Sequence, residues 1–376
     1  MLAGSAAGCR QSPAGAGDGA LGAPAVSHPS APAPTLSVVP SSVVPWDTPV
    51  RVSVAHGTLR SVRMSDPTGS VVPGAISSDG RSWTNTTTLV PNTHYVVSAD
   101  LLDAGKQPST GTVAFSTAPA ADTVSTVITP GDNDVVGVGQ PVIVSFDRTV
   151  TDRRVVEEHL SVTAVPAVLG AWHWVSATEV HYRPRVYWPA GERITVSTSL
   201  DGVNVGNGVW GDRNHTARFT VGASRISYVN VARHTMSVTE GGRLIRVLPI
   251  SAGRDKYPTV GGVHIALEKS PEIIMDSATV GIPRNSPDGY YETVFWDVRI
   301  SDGGTFVHAA PWSVADQGHS NVSHGCVNLS PADAAWYYRF TQRGDVIDIR
   351  GTTRGPDISD PGMADWNIPW SQWAGT

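Results

Sequence analysis

From Pro34 to about Ala120, apolar and polar residues alternate in short runs such as Val50-Arg51-Val52-Ser53-Val54 and Thr112-Val113-Ala114-Phe115-Ser116, broken by Pro, Gly, Asn and Asp. A period of two that ends at turn formers predicts half-buried antiparallel strands. The segment 121–223 repeats the plan: Pro141-Val142-Ile143-Val144-Ser145-Phe146 echoes Pro49 to Val54, and Ala217-Arg218-Phe219-Thr220 echoes Val113 to Ser116. This is a weak tandem repeat. Each unit has the size and turn frequency of a small β-sandwich, with Trp83 in the first and Trp172 and Trp174 in the second placed as core aromatics.

From Ile226 the pattern changes. Arg233 to Val238 and Arg243 to Ile250 flank Glu240-Gly241-Gly242, a predicted hairpin that opens a third, mostly β, domain. Pro271 to Trp296 is rich in Gly, Pro, Asn, Asp and Ser and reads as a long functional loop, a lid. Further on, Ser330-Pro331-Ala332-Asp333 supplies an N-cap, a first-turn proline and an acidic residue at the reciprocal capping position. A helix is therefore expected to run to about Gln342, with Trp336 and Phe340 forming one stripe on the sheet. Gly344 ends it before a strand from Asp345 to Arg350. The tail 351–376 carries Trp366, Trp370 and Trp373 and is expected to pack back on the body as an irregular clasp.

Composition narrows the possibilities. With 376 residues, 40% hydrophobic and 16% charged, the chain is long enough for two or three domains. A net charge of -6, three lysines and no basic run exclude nucleic acid as a partner. No apolar run reaches the roughly 18 residues that span a bilayer. The opening Met1 to Cys9 is similar to the tail of a lipoprotein signal, although a charged region and an apolar region do not precede it. Residues 1–34, rich in Ala, Gly, Pro and Ser, read as a signal remnant and flexible tether. Cys9 in the tether and Cys326 in a dense polar motif are read as two free thiols.

Between Phe306 and Trp336 the chain concentrates His308, His319, Ser323, His324, Cys326 and Asn328. Nucleophilic catalysis by a thiol needs a base within hydrogen-bond reach, a group that orients the base, and amide donors aimed at the developing oxyanion. Gly325 allows backbone to approach a substrate closely. Three readings fit these residues: a Cys/His acyl-transfer site, a metal site of His308, His319, His324 and Cys326, or a structural turn. The single residue between His324 and Cys326 is tighter than structural zinc spacing and disfavours the metal.

The run Ser323-His324-Gly325-Cys326-Val327-Asn328, preceded by His308 and followed by Asp333-Ala334-Ala335-Trp336, resembles the signature of the L,D-transpeptidase (YkuD-type) catalytic domain. Ala310-Pro311-Trp312-Ser313, Gly318-His319-Ser320 and the tail Asp365-Trp366-Asn367-Ile368-Pro369-Trp370 resemble the mycobacterial-type members, as do the two preceding sandwiches. The resemblance implies a mainly β chain: Ig-like domains at 35–120 and 121–223, a catalytic domain at 224–350 with one prominent helix after the cysteine, and the clasp at 351–376. It implies no cofactor and no metal.

It further implies that Cys326 attacks the carbonyl of diaminopimelate at the third position of a peptidoglycan tetrapeptide stem and expels D-alanine. The side-chain amine of a second stem then resolves the acyl-enzyme. His308 would be the general base and acid, with His324 also catalytic, and Gly325, Ser323 and Ala309 would orient the site or shape its oxyanion hole. Tyr290, Gly303, Gly304, Asn328, Met275 and Trp312 would contact substrate. Carbapenem-type β-lactams are the expected covalent inhibitors, and an exported location in the periplasm or wall follows, with lipid on Cys9 as the possible anchor.

Departures from the pattern are Ala309, where close relatives carry serine, and Val280, where they carry a lid tyrosine. Asn204 to Gly208 replaces a calcium-holding acidic loop of some relatives, so no calcium is expected there. Hydrolysis of the same acyl-enzyme, attachment of stems to a wall protein, and a catalytically silent wall-binding scaffold are the alternatives. Pairing with His308, and a position shortly before a helix N-terminus, predict a lowered pKa for Cys326.

Overall fold

The computed structural model describes residues 32–39, 43–358 and 365–375, so Cys9 and nearly all of the expected tether lie outside the described residues. Strands dominate, as the alternation predicts. In the first compact unit, Thr35–Val39, Arg51–Ala55, Ser82–Asn85 and Gly74–Ile76 form one sheet. Val43–Val44, Pro108–Thr117, His94–Asp103, Gly57–Ser65 and Val71–Val72 form the other. Both feed one apolar cluster that buries Val52, Trp83, Tyr95, Val97 and Phe115.

The second sandwich repeats this topology. Val142–Phe146 lies between an antiparallel partner on each side, as Arg51–Ala55 does. Asn214–Val221, like Pro108–Thr117, pairs in parallel with a two-residue strand and antiparallel with a long one. Trp172 meets Tyr182 edge-on at 5.2 Å and Trp174 stacks on Phe146 at 5.6 Å, both half-buried.

This sandwich and the following domain form one compact unit. Val346 of the third domain is buried in the same cluster as Val136, Val138, Trp188 and Phe219. The Gly137 amide donates to the Arg343 carbonyl at 2.6 Å and the Gly139 amide to that of Gly344 at 2.9 Å. A Cβ on Gly137 would stand 2.1 Å from the Asp345 nitrogen, so only glycine permits the approach.

The C-terminal residues 365–375 seal the seam. Arg183, 3% exposed, lies over the rings of Trp366, Trp370 and Trp373 at 4.6 to 5.4 Å and donates to the Ile368 carbonyl at 2.8 Å. Trp373 is wholly buried, stacks on His173 at 4.6 Å and donates to the Ala171 carbonyl. His181 is held between Asp365 and Glu179. Burial opposes its charge, but the carboxylates outweigh burial and lift its pKa to about 9. The group therefore stabilises the fold fully below its ordinary range near 6.5 and loses that contribution as pH rises through about 9.

The third domain packs two sheets around a helix. Strands β1 (Arg225–Asn230), β2 (Thr235–Glu240), β3 (Arg243–Pro249) and β4 (Gly262–Ile265) join the last strand of the domain in one sheet. Strands β5 (Glu268–Asp276), β6 (Tyr291–Arg299), β7 (Phe306–Ala309) and β8 (Val327–Leu329) make the second sheet, in that order. Helix α1 (Pro331–Phe340) and strand β9 (Val346–Arg350) complete the domain, and β9 lies between β1 and β4. The β2–β3 turn is Gly241-Gly242, both at positive φ, as a two-residue hairpin turn demands.

Two expectations are corrected here. Both ends of the segment 271–296 are strand: Pro271 sits on an edge strand, where its missing amide costs no ladder bond, and the lid narrows to residues 277–290. Helix α1 ends at Phe340, two residues short of Gln342. Ala334 and Tyr337 are its fully buried residues. Trp336 and Phe340 form a stripe as expected: half-buried, they stack on each other at 5.0 Å against the core cluster of the two sheets, under the guanidinium groups of Arg246 and Arg225.

Candidate active site

β7 and β8 run parallel with His308 beside Asn328, and strand alternation puts Cys326, two residues before Asn328, on the same face. The turn 323–326 is held by Ser323, whose hydroxyl accepts from the Gly325 amide at 3.0 Å and donates to the Cys326 carbonyl at 2.7 Å. Gly325 has φ +132° and open space where a Cβ would stand. Above the turn is a cavity of about 310 Å³ lined by Met275, Tyr290, Trp312, His308, Asn328 and Cys326, with Ser323, His324, Glu292, Val294 and Val322 completing the wall.

His308 is 3% exposed, and its Nδ1–H donates to the Ala309 carbonyl at 3.0 Å. That bond fixes the tautomer and leaves Nε2 as the proton acceptor. Because a carbonyl makes the contact, alanine at 309 orients the ring as a serine backbone would. Burial pushes the His308 pKa down to about 4.

The lowered thiol pKa expected from sequence is corrected by the structure. Although Cys326 is reachable from the cavity, the protein around it excludes solvent that would stabilise a thiolate, and burial pushes its pKa up to about 11. The helix cannot compensate, since three strand residues and the cap Ser330 separate it from the sulfur and the dipole fades within a turn. The resting pair is a neutral thiol and a neutral imidazole. The sulfur stands 4.0 Å from the Gly304 carbonyl, and Val280 of the lid loop reaches to 3.4 Å of the Cβ position of Gly304.

His324 binds the lid rather than the sulfur. Its Nε2 accepts from Arg254 at 2.9 Å and its ring lies against Tyr257 and Tyr290 at 5.0 and 4.9 Å. Arg254 and Lys256 both pair with Asp288, which also accepts from the Tyr257 hydroxyl at 3.1 Å. Arg284 pairs with Asp276 at the base of the loop. Burial, then the neighbouring Arg254 charge, lowers the His324 pKa.

Sequence reasoning missed Arg254, Tyr257, Asp288 and Glu292, which lie outside the motif. His319 does not line the cavity, and among the described residues no three His, Cys, Asp or Glu side chains gather as metal ligands.

The residues 224–349 match the L,D-transpeptidase catalytic domain family, and 41–204 match the bacterial Ig domain family. The chain is 39% identical over 340 residues to L,D-transpeptidase 2 of Mycobacterium tuberculosis (strain CDC 1551 / Oshkosh), spanning 90% of this chain and 83% of that protein. It belongs to the L,D-transpeptidase family.

L,D-transpeptidase 5 of Mycobacterium tuberculosis H37Rv is 33% identical over 355 residues, spanning 91% of this chain and 76% of that one. Among solved structures, LD transpeptidase LdtMt1 in complex with imipenem aligns at TM-score 0.54 and 38% identity, covering 60% of this chain and 99% of the other. L,D-transpeptidase 3 from Mycobacterium tuberculosis with a faropenem-derived adduct aligns at 0.52 and 32%, covering 60% and 98%.

The chain is thus an L,D-transpeptidase, a peptidoglycan cross-linking acyltransferase. In this transpeptidase, Ser323→Ala removes the acceptor of the Gly325 amide and the donor to the Cys326 carbonyl. A displacement of the turn by about 1 Å would lower the transpeptidation rate up to about a hundredfold. A cross-linking assay of the variant checks this; a rate within twofold of wild type would show that the turn holds without the hydroxyl.

Proposed function

We propose that Cys326 is the nucleophile and His308 its base, acting on tetrapeptide stems with diaminopimelate in third position. The observation that carries the reading is that both line one cavity, His308 from β7 and Cys326 from the turn that leads into its parallel neighbour β8. The thiol proton passes to Nε2 of His308 as sulfur bonds to the carbonyl carbon. The imidazolium then gives that proton to the departing D-alanine amine, leaving a thioester. The amine of a second stem attacks the thioester, its proton returns through His308 to sulfur, and the cross-link is released.

The Gly325 amide is spent on Ser323. The Cys326 amide, which has no partner among the described residues, is the donor assigned to the oxyanion. His324 acts as a positioning residue that ties the lid to the 254–257 segment. Tyr290, Met275, Trp312 and Asn328 hold the stem, and Gly303 and Gly304 form the turn beside the sulfur. The imipenem and faropenem complexes of the relatives support acylation of Cys326 by carbapenem-type β-lactams. The substrate class supports an exported location at the wall, and the likeness of Met1 to Cys9 to the tail of a lipoprotein signal supports Cys9 as a lipid anchor.

Intact-protein mass spectrometry with a disaccharide tetrapeptide tests the reading. Wild type is expected to show a transient adduct and a dimer short of one D-alanine, and Cys326→Ala neither. Tripeptide without dimer would assign hydrolysis, and an adduct on Cys326→Ala would remove the nucleophile assignment.

A further inference from the structure

β6 carries an extra residue where it passes His308. Phe295 pairs with Ala309 and Val298 with Val307, so Trp296 and Asp297 together stand opposite His308. Trp296 adopts φ +59°, a conformation that a bulky side chain takes only under constraint, and its ring packs against Tyr338 of α1 at 5.5 Å. Val298 and Val307 both belong to the apolar cluster under α1. Alternation along the strand then turns Asp297 to the opposite face, where His308 lines the cavity. Asp297 is 1% exposed, and neither carboxyl oxygen meets a donor from another residue. Its charge nevertheless acts on Cys326. A buried carboxyl without donors costs stability, and bulges beside reacting groups re-aim side chains.

We propose that Asp297 is a positioning residue for the transfer reaction, the counter-charge that stabilises the imidazolium form of His308 through space. The inference rests on the roles of Cys326 and His308 given above. When the thiol proton reaches Nε2, a positive charge appears where water does not reach, and a nearby carboxylate offsets it. Since Nδ1–H is committed to the Ala309 carbonyl, Asp297 has no part in fixing the tautomer and contributes charge alone.

Burial holds the carboxyl up at about 7, so the counter-charge is present above neutrality and withdrawn below it. The other ionisable groups on the flanking elements are placed elsewhere. Lys269 of β5 turns to the Thr341 carbonyl and the Tyr338 ring, Arg299 of β6 to Glu268, and Glu272 of β5 lies opposite Phe295 on the exposed side. Glu292, also on β6, lines the cavity opposite Met275.

The same negative charge disfavours a free thiolate, which gives the proposal two readouts of opposite sign. In full-length Asp297→Asn, imipenem acylation at pH 8 is expected to fall about tenfold or more. The near-neutral step of its pH profile should vanish, and rates at pH 5.5 should match wild type. Iodoacetamide alkylation of Cys326 should meanwhile titrate at lower pH than in wild type. Asp297→Ala repeats both measurements in case asparagine perturbs the bulge.

An unchanged acylation profile, or equal slowing of both reactions at every pH, would overturn the proposal. His308→Gln is the separating control: if it leaves acylation of otherwise wild-type enzyme unchanged, the base assignment fails, whereas a strong loss there with no effect at Asp297 removes only this inference.

Discussion

Exchanging His308 for glutamine is expected to slow acylation of Cys326 at neutral pH by roughly 10²–10⁴-fold. A thiol held up at about 11 is ionised only to about one part in 10⁴ at pH 7, so attack depends on proton removal during the reaction. In the function proposed above His308 removes that proton, with its Nδ1–H tied to a carbonyl and its Nε2 left as the acceptor. Because burial holds the imidazole down at about 4, the base stays competent well below the usual histidine range. Below the near-neutral step assigned to Asp297, the final acidic fall of the rate profile, where the neutral imidazole is lost, is expected as pH falls through about 4. Single-turnover acylation by imipenem against pH measures both. A variant within threefold of wild type would show that the sulfur is activated by something else.

Trp373→Ala is expected to cost roughly 3–5 kcal/mol of stability, the range for removing a wholly buried tryptophan. The ring fills the seam between the second sandwich and its C-terminal cover, supports the buried Arg183 guanidinium and satisfies the Ala171 carbonyl. Its loss leaves a cavity beside a buried cation whose other cover is Trp366 and Trp370. Differential scanning calorimetry of the full chain should show a lowered midpoint for one transition. A shift of under a degree would mean that the tail holds through His181 and Asn367 without this ring.

The parts of the site that were legible in the sequence lie in contiguous chain. Ser323 to Asn328 is a single turn and strand, and a thiol, imidazole and glycine at that spacing restrict the chemistry before any fold is known. Arg254, Tyr257 and Asp288 carry no signal of their own, because only the meeting of the lid loop with the segment after β3 makes them part of the site. The thiol pKa was misread for a related reason: proximity in sequence to His308 and to a helix start suggested stabilised charge, while enclosure by neighbouring strands, which decides the sign, is a property of the folded domain.

The fold shows the same division. Alternating valines and Gly-rich turns specify the sandwiches, and the Gly241-Gly242 hairpin is fixed locally. Pro271 made a strand look like a loop because edge position is invisible in a linear pattern. The union of the second sandwich with the catalytic domain depends on Gly137 and Gly139, residues unremarkable in sequence that lie against Asp345 and Val346 across more than two hundred positions.

The parallel pairing of β1 with β9 joins the first and last strands of the catalytic domain, Ile226 against Val346 through Asn230 against Arg350. Such a contact raises the contact order and delays closure until the final strand is available. On a growing chain β1 emerges long before its partner, and Cys326 leaves the ribosome while the five-stranded sheet of the domain still lacks its last strand. A nascent chain therefore carries an unassembled thiol, and the domain around it closes only when translation has passed Arg350.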